Sequence, residues 1–291
     1  MKKGLAISGK TRVCGVMGDP VGHSVSPAMH NAAFSALGLD YAYLPFNVSA
    51  DGLAGAGAGI RALNIVGMNV TIPHKVTVIP LLDEIEPLAQ RIGAVNVIHN
   101  KGGRLIGGNT DAGGFRRMLE ERGIDARGLR VAVLGAGGAS RAVCFALASL
   151  GTDITILNRT AGRAAGCAAE MATYTGHTFE SLEMNPANLA MALAKADLVV
   201  NATSIGMVPC VDKSPVSREL LERRHIVVDI VYNPVKTRLM RDAEKAGAMT
   251  IGGLDMLVWQ GALAFEIWTG HVAPLDVMRR AAARAVKSYE E

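Results

Sequence analysis

Residues 131–134 are four consecutive apolar residues that run without a break into Gly135-Ala136-Gly137-Gly138-Ala139-Ser140, and a helix-like stretch continues to residue 150. A strand that turns on glycines straight into a helix constrains a chain more than any other feature here. The first glycine permits the turn, and the second lets backbone amides approach a pyrophosphate at the positive end of the helix. Ser140 stands where a third glycine is usual, and a residue that small still allows close helix packing. The motif alone is weak; the strand-turn-helix setting is what points to a dinucleotide rather than to a mere glycine-rich turn.

The surrounding pattern agrees. Residues 154–157 read as the next strand and Thr160 as the opening of another helix. Residues 197–201, 226–229 and 249–251 read as further short buried strands with helix-like segments between them. Strands alternating with helices imply parallel pairing through right-handed crossovers, hence a Rossmann-type doubly wound α/β sheet. The second strand bears on the cofactor. An NAD site usually places an acid roughly 20 residues after the glycines, on the ribose 2′-hydroxyl. Here that strand ends in Asn158-Arg159-Thr160, followed by Arg163. No acid is present to repel a 2′-phosphate and two guanidiniums are available to clamp one, so NADP is favoured. The plainer alternative is that Arg159 and Arg163 form a solvated helix face.

The first 110 residues alternate strand and helix as well, as a second α/β unit would. Residues 12–17, 41–48 and 65–71 read as strands, and 95–99 with 104–107 as a hairpin. Residues 26–37 read as a helix with Ser26 at the N-cap, Pro27 in the first turn and Gly38 past the end. Residues 83–91 look helical, and so do 254–291 with a break near Gly270 and Pro274.

Composition removes several classes of function. The chain carries 30 basic and 26 acidic residues for a net charge of +4, with basic residues scattered or in pairs and aromatics at only 4%. That argues against nucleic acid as a partner and suits a handler of anionic small molecules. Cys14, Cys144, Cys167 and Cys210 lie far apart with no CxxC pair, so neither a zinc site nor a disulfide framework is expected. No metal is expected from the histidines either, which show no HxxxH or HxH grouping. The apolar stretch after Lys2-Lys3 is too short for a signal peptide, and no run suits a membrane span. A cytoplasmic protein is expected.

Three segments concentrate polar residues where strands end. Ser24-Val25-Ser26 lies in a Gly-rich turn entering a helix, where hydroxyls and helix amides would hold a carboxylate, a role compatible with simple capping. In Asn69-Val70-Thr71-Ile72-Pro73-His74-Lys75, Pro73 suits a first helical turn. That would put Lys75 near a positive helix end, where a charged ammonium is disfavoured and proton exchange becomes easier. Asp111, in Asn109-Thr110-Asp111, is a helix cap or the partner of Lys75. His23, His30 and His74 lie near these motifs and read as surface or supporting residues.

Taken in order, GDPVGHSVSPAMHN (18–31), NVTIPHK (69–75), GAVN (93–96), NTDAGGF (109–115), GAGGASR (135–141), NRT (158–160), NATSIGM (201–207) and GGLDMLVWQGALAFEIWTG (252–270) resemble the shikimate dehydrogenase family along almost the whole chain. The resemblance implies a substrate-binding domain of residues 1–111 and 253–291, built from the N-terminal part and the C-terminal helices, around an NADP-binding domain of residues 112–252. It implies reversible reduction of 3-dehydroshikimate to shikimate in aromatic amino-acid biosynthesis, the two domains closing over the cleft. Ser24 and Ser26 would bind the substrate carboxylate. Thr71, Asn96, Asp111 and Gln260 would hold ring hydroxyls, and Tyr232 would reach the substrate from the cofactor domain. Lys75 would be the acid/base, paired with Asp111. Gly135, Ala136, Gly137, Gly138 and Ala139 would bind pyrophosphate. Asn158, Arg159, Thr160 and Arg163 would bind the adenosine 2′-phosphate end, and Thr203, Ile230 and Gly253 would border the nicotinamide. A monomer or a homodimer fits equally.

Three rivals remain at this point. A quinate/shikimate enzyme of relaxed substrate or cofactor choice is opposed on the cofactor by Arg159 but not excluded on the substrate. A non-catalytic NADP-binding redox sensor would not need Lys75 and Asp111 together. A folate-type methylene dehydrogenase would have no use for Ser24 and Ser26. Residues 1–10 precede the first strand as a short extra strand or a disordered lead.

Overall fold

The computed structural model describes residues 7–290. It divides into two compact units, one running to Thr110 and joined by Val258–Tyr289, the other Asp111–Leu257.

The first unit is built on a mixed sheet. In chain order its elements are β1 (Arg12–Gly18), α1 (Ser26–Ala36), β2 (Tyr41–Asn47), α2 (Leu53–Ala62), β3 (Gly67–Val70), β4 (Glu84–Ile85), α3 (Pro87–Ile92), β5 (Val97–Lys101) and β6 (Arg104–Gly108). The strand order is β2-β1-β3-β5-β6-β4. β1 runs parallel to β2 and β3, while β5 lies antiparallel to both β3 and β6. The inner strands β1 and β3 are buried nearly throughout, which is why they read as apolar runs.

Several expectations fail in this unit. Residues 83–91 do not form one helix: Asp83 turns back to accept the Leu105 N–H (2.7 Å) and Arg61 (2.7 Å). Glu84 and Ile85 then pair with β6, and helix begins only at Pro87. No helix starts at Pro73 either: residues 72–78 are turns, so Lys75 does not lie at the positive end of a helix. The N-cap of α1 is Val25 rather than Ser26, with Ser24 Oγ accepting from the Ser26 N–H (3.3 Å). Of residues 1–10, the first six lie outside the described residues, and Ser8 to Thr11 close a turn (3.1 Å) instead of a strand.

The second unit continues with α4 (Asp111–Glu121), β7 (Arg130–Leu134), α5 (Gly138–Ala148), β8 (Asp153–Asn158), α6 (Ala161–Thr175), β9 (Phe179–Glu183), α7 (Pro186–Lys195), β10 (Leu198–Asn201), β11 (Ile226–Asp229), α8 (Arg238–Lys245) and β12 (Met249–Gly252). The strand order β12-β11-β10-β7-β8-β9 has every neighbour parallel, so this is a doubly wound sheet whose direction of winding reverses between β7 and β10. β10 is buried along its whole length, as a central parallel strand must be. The chain ends in α9 (Gly253–Thr269) and α10 (Leu275–Glu290), broken at Gly270 as the sequence suggests. Among the described residues no helix is long and apolar enough to cross a membrane.

Candidate active site

In the first unit Asn96 and Gln260, both singled out by sequence, meet in a buried hydrogen-bond network with Asn69 and Thr110. The Tyr43 hydroxyl donates to Asn69 Oδ1 (2.6 Å), and Asn69 Nδ2 donates to the Asn96 carbonyl (3.2 Å). Asn96 Nδ2 donates in turn to Thr110 Oγ1 (2.9 Å) and Gln260 Oε1 (3.2 Å), and its Oδ1 accepts from the Thr110 N–H (2.7 Å). Asn96 and Gln260, 164 residues apart, are thus joined directly. Asn69, Asn96, Thr110 and Gln260 are all buried, so their amides are fixed by partners rather than by water.

Lys75 lies in the turn segment after β3, half-buried. Its carbonyl accepts from the Val95 N–H (2.8 Å), which fastens that turn to the segment carrying Asn96. Buried His74 fastens it on the other side: its Nε2 lies 2.6 Å from the Val48 carbonyl, an acceptor only, so Nε2 carries the proton. Thr71 donates its N–H to the Met17 carbonyl (2.9 Å), anchoring the start of the segment to β1. Asp111 follows Thr110 directly and opens α4, where a carboxylate is favoured by the helix dipole, and it is buried. Ser24 is half-buried and Ser26 buried at the start of α1. Asn69, His74 and Thr110 join the site from within the quoted motifs, and their role shows only as partners of chain segments distant in sequence.

In the second unit, Gly135 ends β7 with φ +110° and donates its N–H to the Leu157 carbonyl (2.7 Å). A Cβ there would meet the Ala202 carbonyl at 3.0 Å and Thr203 Cγ2 at 3.1 Å, so the turn lies directly against the loop after β10. Gly137 differs. It is the N-cap of α5, and a Cβ on it would meet nothing within 4 Å. The space beside the helix end is open, and no acid stands in the first turn of α5 to occupy its amides. Ser140 is fully buried and donates its hydroxyl to the Gly135 carbonyl (2.6 Å), so it braces the turn where a glycine was expected. Ala136, Gly138 and Ala139 are half-buried around the same turn.

Asn158 ends β8 and donates to the Thr160 carbonyl (3.0 Å), holding the bend. Arg159, Thr160 and Arg163 are exposed, and among the described residues neither guanidinium has an ion pair or hydrogen-bond partner. Arg130, Arg141 and Arg127 in the same unit are all paired with carboxylates. At the other side of the switch, a Cβ on Gly253 would lie 2.2 Å from the Ile230 carbonyl oxygen, which places these two residues in contact. Tyr232 is half-buried just beyond. An open helix end, a left-handed turn and two uncommitted guanidiniums fit a phosphorylated dinucleotide. Among the described residues no three His, Cys, Asp or Glu side chains are grouped to hold a metal.

Fold and site define a dinucleotide-binding α/β protein with a second α/β unit that carries a buried polar cluster. Family models described as the shikimate dehydrogenase substrate binding domain, shikimate / quinate 5-dehydrogenase and the shikimate 5′-dehydrogenase C-terminal domain match residues 16–98, 118–252 and 253–283. The chain belongs to the shikimate dehydrogenase family. It is 49% identical over 284 residues to the shikimate dehydrogenase (NADP(+)) of Methanopyrus kandleri, covering 97% of this chain and 98% of that one. A shikimate dehydrogenase solved in complex with NADP+ superposes with a TM-score of 0.90 at 43% identity, covering 97% and 98% of the two chains. A Thermus thermophilus shikimate 5-dehydrogenase in complex with NADP(H) and shikimate gives 0.85 at 41% identity, with 94% and 100% covered.

Proposed function

We propose that the chain catalyses the reversible NADPH-dependent reduction of 3-dehydroshikimate to shikimate, with Lys75 as acid/base and Asp111 as its partner. It is an NADP-dependent oxidoreductase acting on a secondary alcohol, and its place is in aromatic amino-acid biosynthesis. We assign it to the cytoplasm, a compartment that keeps an exposed thiol such as Cys210 reduced.

Gly135 to Ala139 and the amides at the start of α5 bind the pyrophosphate; Asn158, Arg159, Thr160 and Arg163 bind the 2′-phosphate end. Thr203, Ile230 and Gly253 border the nicotinamide. When bound, the cofactor supplies or accepts a hydride. The remaining chemistry belongs to the substrate unit and its neighbours. Ser24 and Ser26 hold the carboxylate. Thr71, Asn96, Asp111 and Gln260 take ring hydroxyls, with Tyr232 reaching the ring. During reduction Lys75 Nζ, protonated, stabilises the oxygen as it becomes alkoxide-like and delivers a proton to it. In oxidation Nζ takes that proton back, and the Asp111 carboxylate stabilises the ammonium that results.

The observation that carries this reading is the buried hydrogen-bonded cluster of Asn69, Asn96, Thr110 and Gln260, with the turn that carries Lys75 fastened beside it through the Val95 N–H. A spectrophotometric assay of shikimate and quinate, each with NADP and NAD, tests it. Reduction of NADP by shikimate is expected to be the most efficient of the four reactions. Absence of any turnover of shikimate with NADP would overturn the reading.

A further inference from the structure

Asp229, the last residue of β11, has none of its surface exposed. Its Oδ1 accepts from Asn201 Nδ2 (2.9 Å) and the Val231 N–H (3.1 Å), and its Oδ2 accepts from the Thr237 hydroxyl (2.6 Å). An ionised carboxylate only accepts, so it decides which way the Asn201 amide faces. With Nδ2 turned to Asp229 and the Ile205 carbonyl (3.2 Å), Oδ1 is left to Thr203, accepting from its N–H (3.1 Å) and its hydroxyl (2.7 Å). The Thr203 hydroxyl, its proton given to Asn201, then accepts from the Ile205 N–H (3.1 Å). Thr203 is held in one orientation, with Cγ2 against the Gly135 position. In a doubly wound sheet the loops after the strands flanking the switch border the ligand crevice, and here those strands are β7 and β10.

We infer that Asp229 is a positioning residue for the cofactor. Through Asn201 it locks the 202–207 loop against the glycine turn, and through Val231 and Thr237 it holds the segment carrying Tyr232. This rests on the reading above that the cofactor binds at that turn.

The lock depends on the carboxylate being ionised. Burial pushes the Asp229 carboxyl up to about 6, against the lowering effect of its three hydrogen bonds. On α8, Arg238 pairs with Asp242 and Glu244 with Lys236, Arg241 donates to the Lys236 carbonyl and Lys245 is exposed; on α9, Asp255 pairs with Arg122 and Glu266 accepts from the Ala273 N–H; β10 and β12 bring no charged side chain. Protonation weakens the three bonds, so cofactor affinity falls as pH drops through this range.

Calorimetric titration of the full chain with NADP+ from about pH 8 to 5 tests this, on wild type, Asp229→Asn and Thr237→Val, with the shikimate assay run in parallel. In wild type the Kd is expected to weaken on the acid side by up to about tenfold per pH unit. In Asp229→Asn it is expected to rise about tenfold at neutral pH, the loss of a hydrogen bond to a charged group, with the acid limb gone. Thr237→Val removes one bond to the ionised form, so its limb moves to higher pH. A folded Asp229→Asn that binds like wild type and keeps the limb would overturn the proposal. Should Asp229→Asn fail to fold, an unmoved limb in Thr237→Val overturns it and an upward shift supports it. Wild type that binds NADP+ but leaves shikimate untouched defeats the functional reading alone, and wild type that does not bind NADP+ defeats both.

Discussion

His30 is fully buried, and neither ring nitrogen has a hydrogen-bond partner among the described residues. It stacks on Tyr43 with ring centroids 4.3 Å apart, beside Phe265 and Trp268. Burial without a partner pushes its pKa down to about 3. The folded state therefore refuses a proton that the unfolded chain accepts. The stabilisation is whole above about pH 6.5, the unfolded value, and is lost as pH falls toward 3. Its contribution to the slope is up to about 1.4 kcal/mol per pH unit. Denaturant titrations of wild type and His30→Phe between about pH 6.5 and 4.5, above most carboxylate titrations, should show a shallower loss in the variant. Arg159 makes the opposite kind of prediction, about a charge left uncommitted. Arg159→Ala is expected to raise the KM for NADP by roughly 10-fold or more, the loss of one charge-assisted contact, and to leave the KM for NAD nearly unchanged. Steady-state kinetics with both cofactors checks it. Arg159 was readable as a candidate because it follows a strand end where an acid would otherwise stand. Asn201 and Asp229 were not, since a polar residue closing an apolar strand gives no hint that it will meet another one 28 positions away.

At the scale of elements, what could be read depended on burial. The strands of the second unit were legible because parallel strands buried on both faces leave continuous apolar runs, as in β7, β10 and β11. β9 was missed for the converse reason. It is an edge strand, Phe179–Glu183, with no residue fully buried and so no apolar run to mark it. The helix expected over 83–91 failed because Asp83 and the strand pairing of Glu84 and Ile85 with β6 depend on residues some 20 positions away, beyond the reach of a local period. The turn after Ile72 failed similarly: Pro73 is compatible with a helix start, but the segment is held by Met17, Val48 and Val95 instead. The junction of β12 and α9 makes a sharper prediction. Gly253 lets that junction lie on the backbone of Ile230, where a Cβ would stand 2.2 Å from a carbonyl oxygen that cannot yield by rotamer change. Gly253→Ala should cost about 1–3 kcal/mol and lower Tm by several degrees, and a thermal melt will read it.

For the molecule as a whole, the sequence yields two α/β units, and the structure shows the unit Asp111–Leu257 inserted into a chain whose two ends form the other. That insertion has no signature in hydrophobic period, because period reports which face of an element is buried and not against what. It has a consequence for chemistry: Gln260 joins Asn96 only because the C-terminal segment rejoins the N-terminal unit. The central claim is that this fold presents an ammonium to the substrate oxygen, and turnover by Lys75→Ala tests it most directly. Measured at saturating shikimate and NADP, kcat should fall by roughly 10²–10⁴-fold, the usual worth of a general acid/base, while the Kd for NADP+ stays as in wild type. Turnover by that variant equal to wild type would contradict the account.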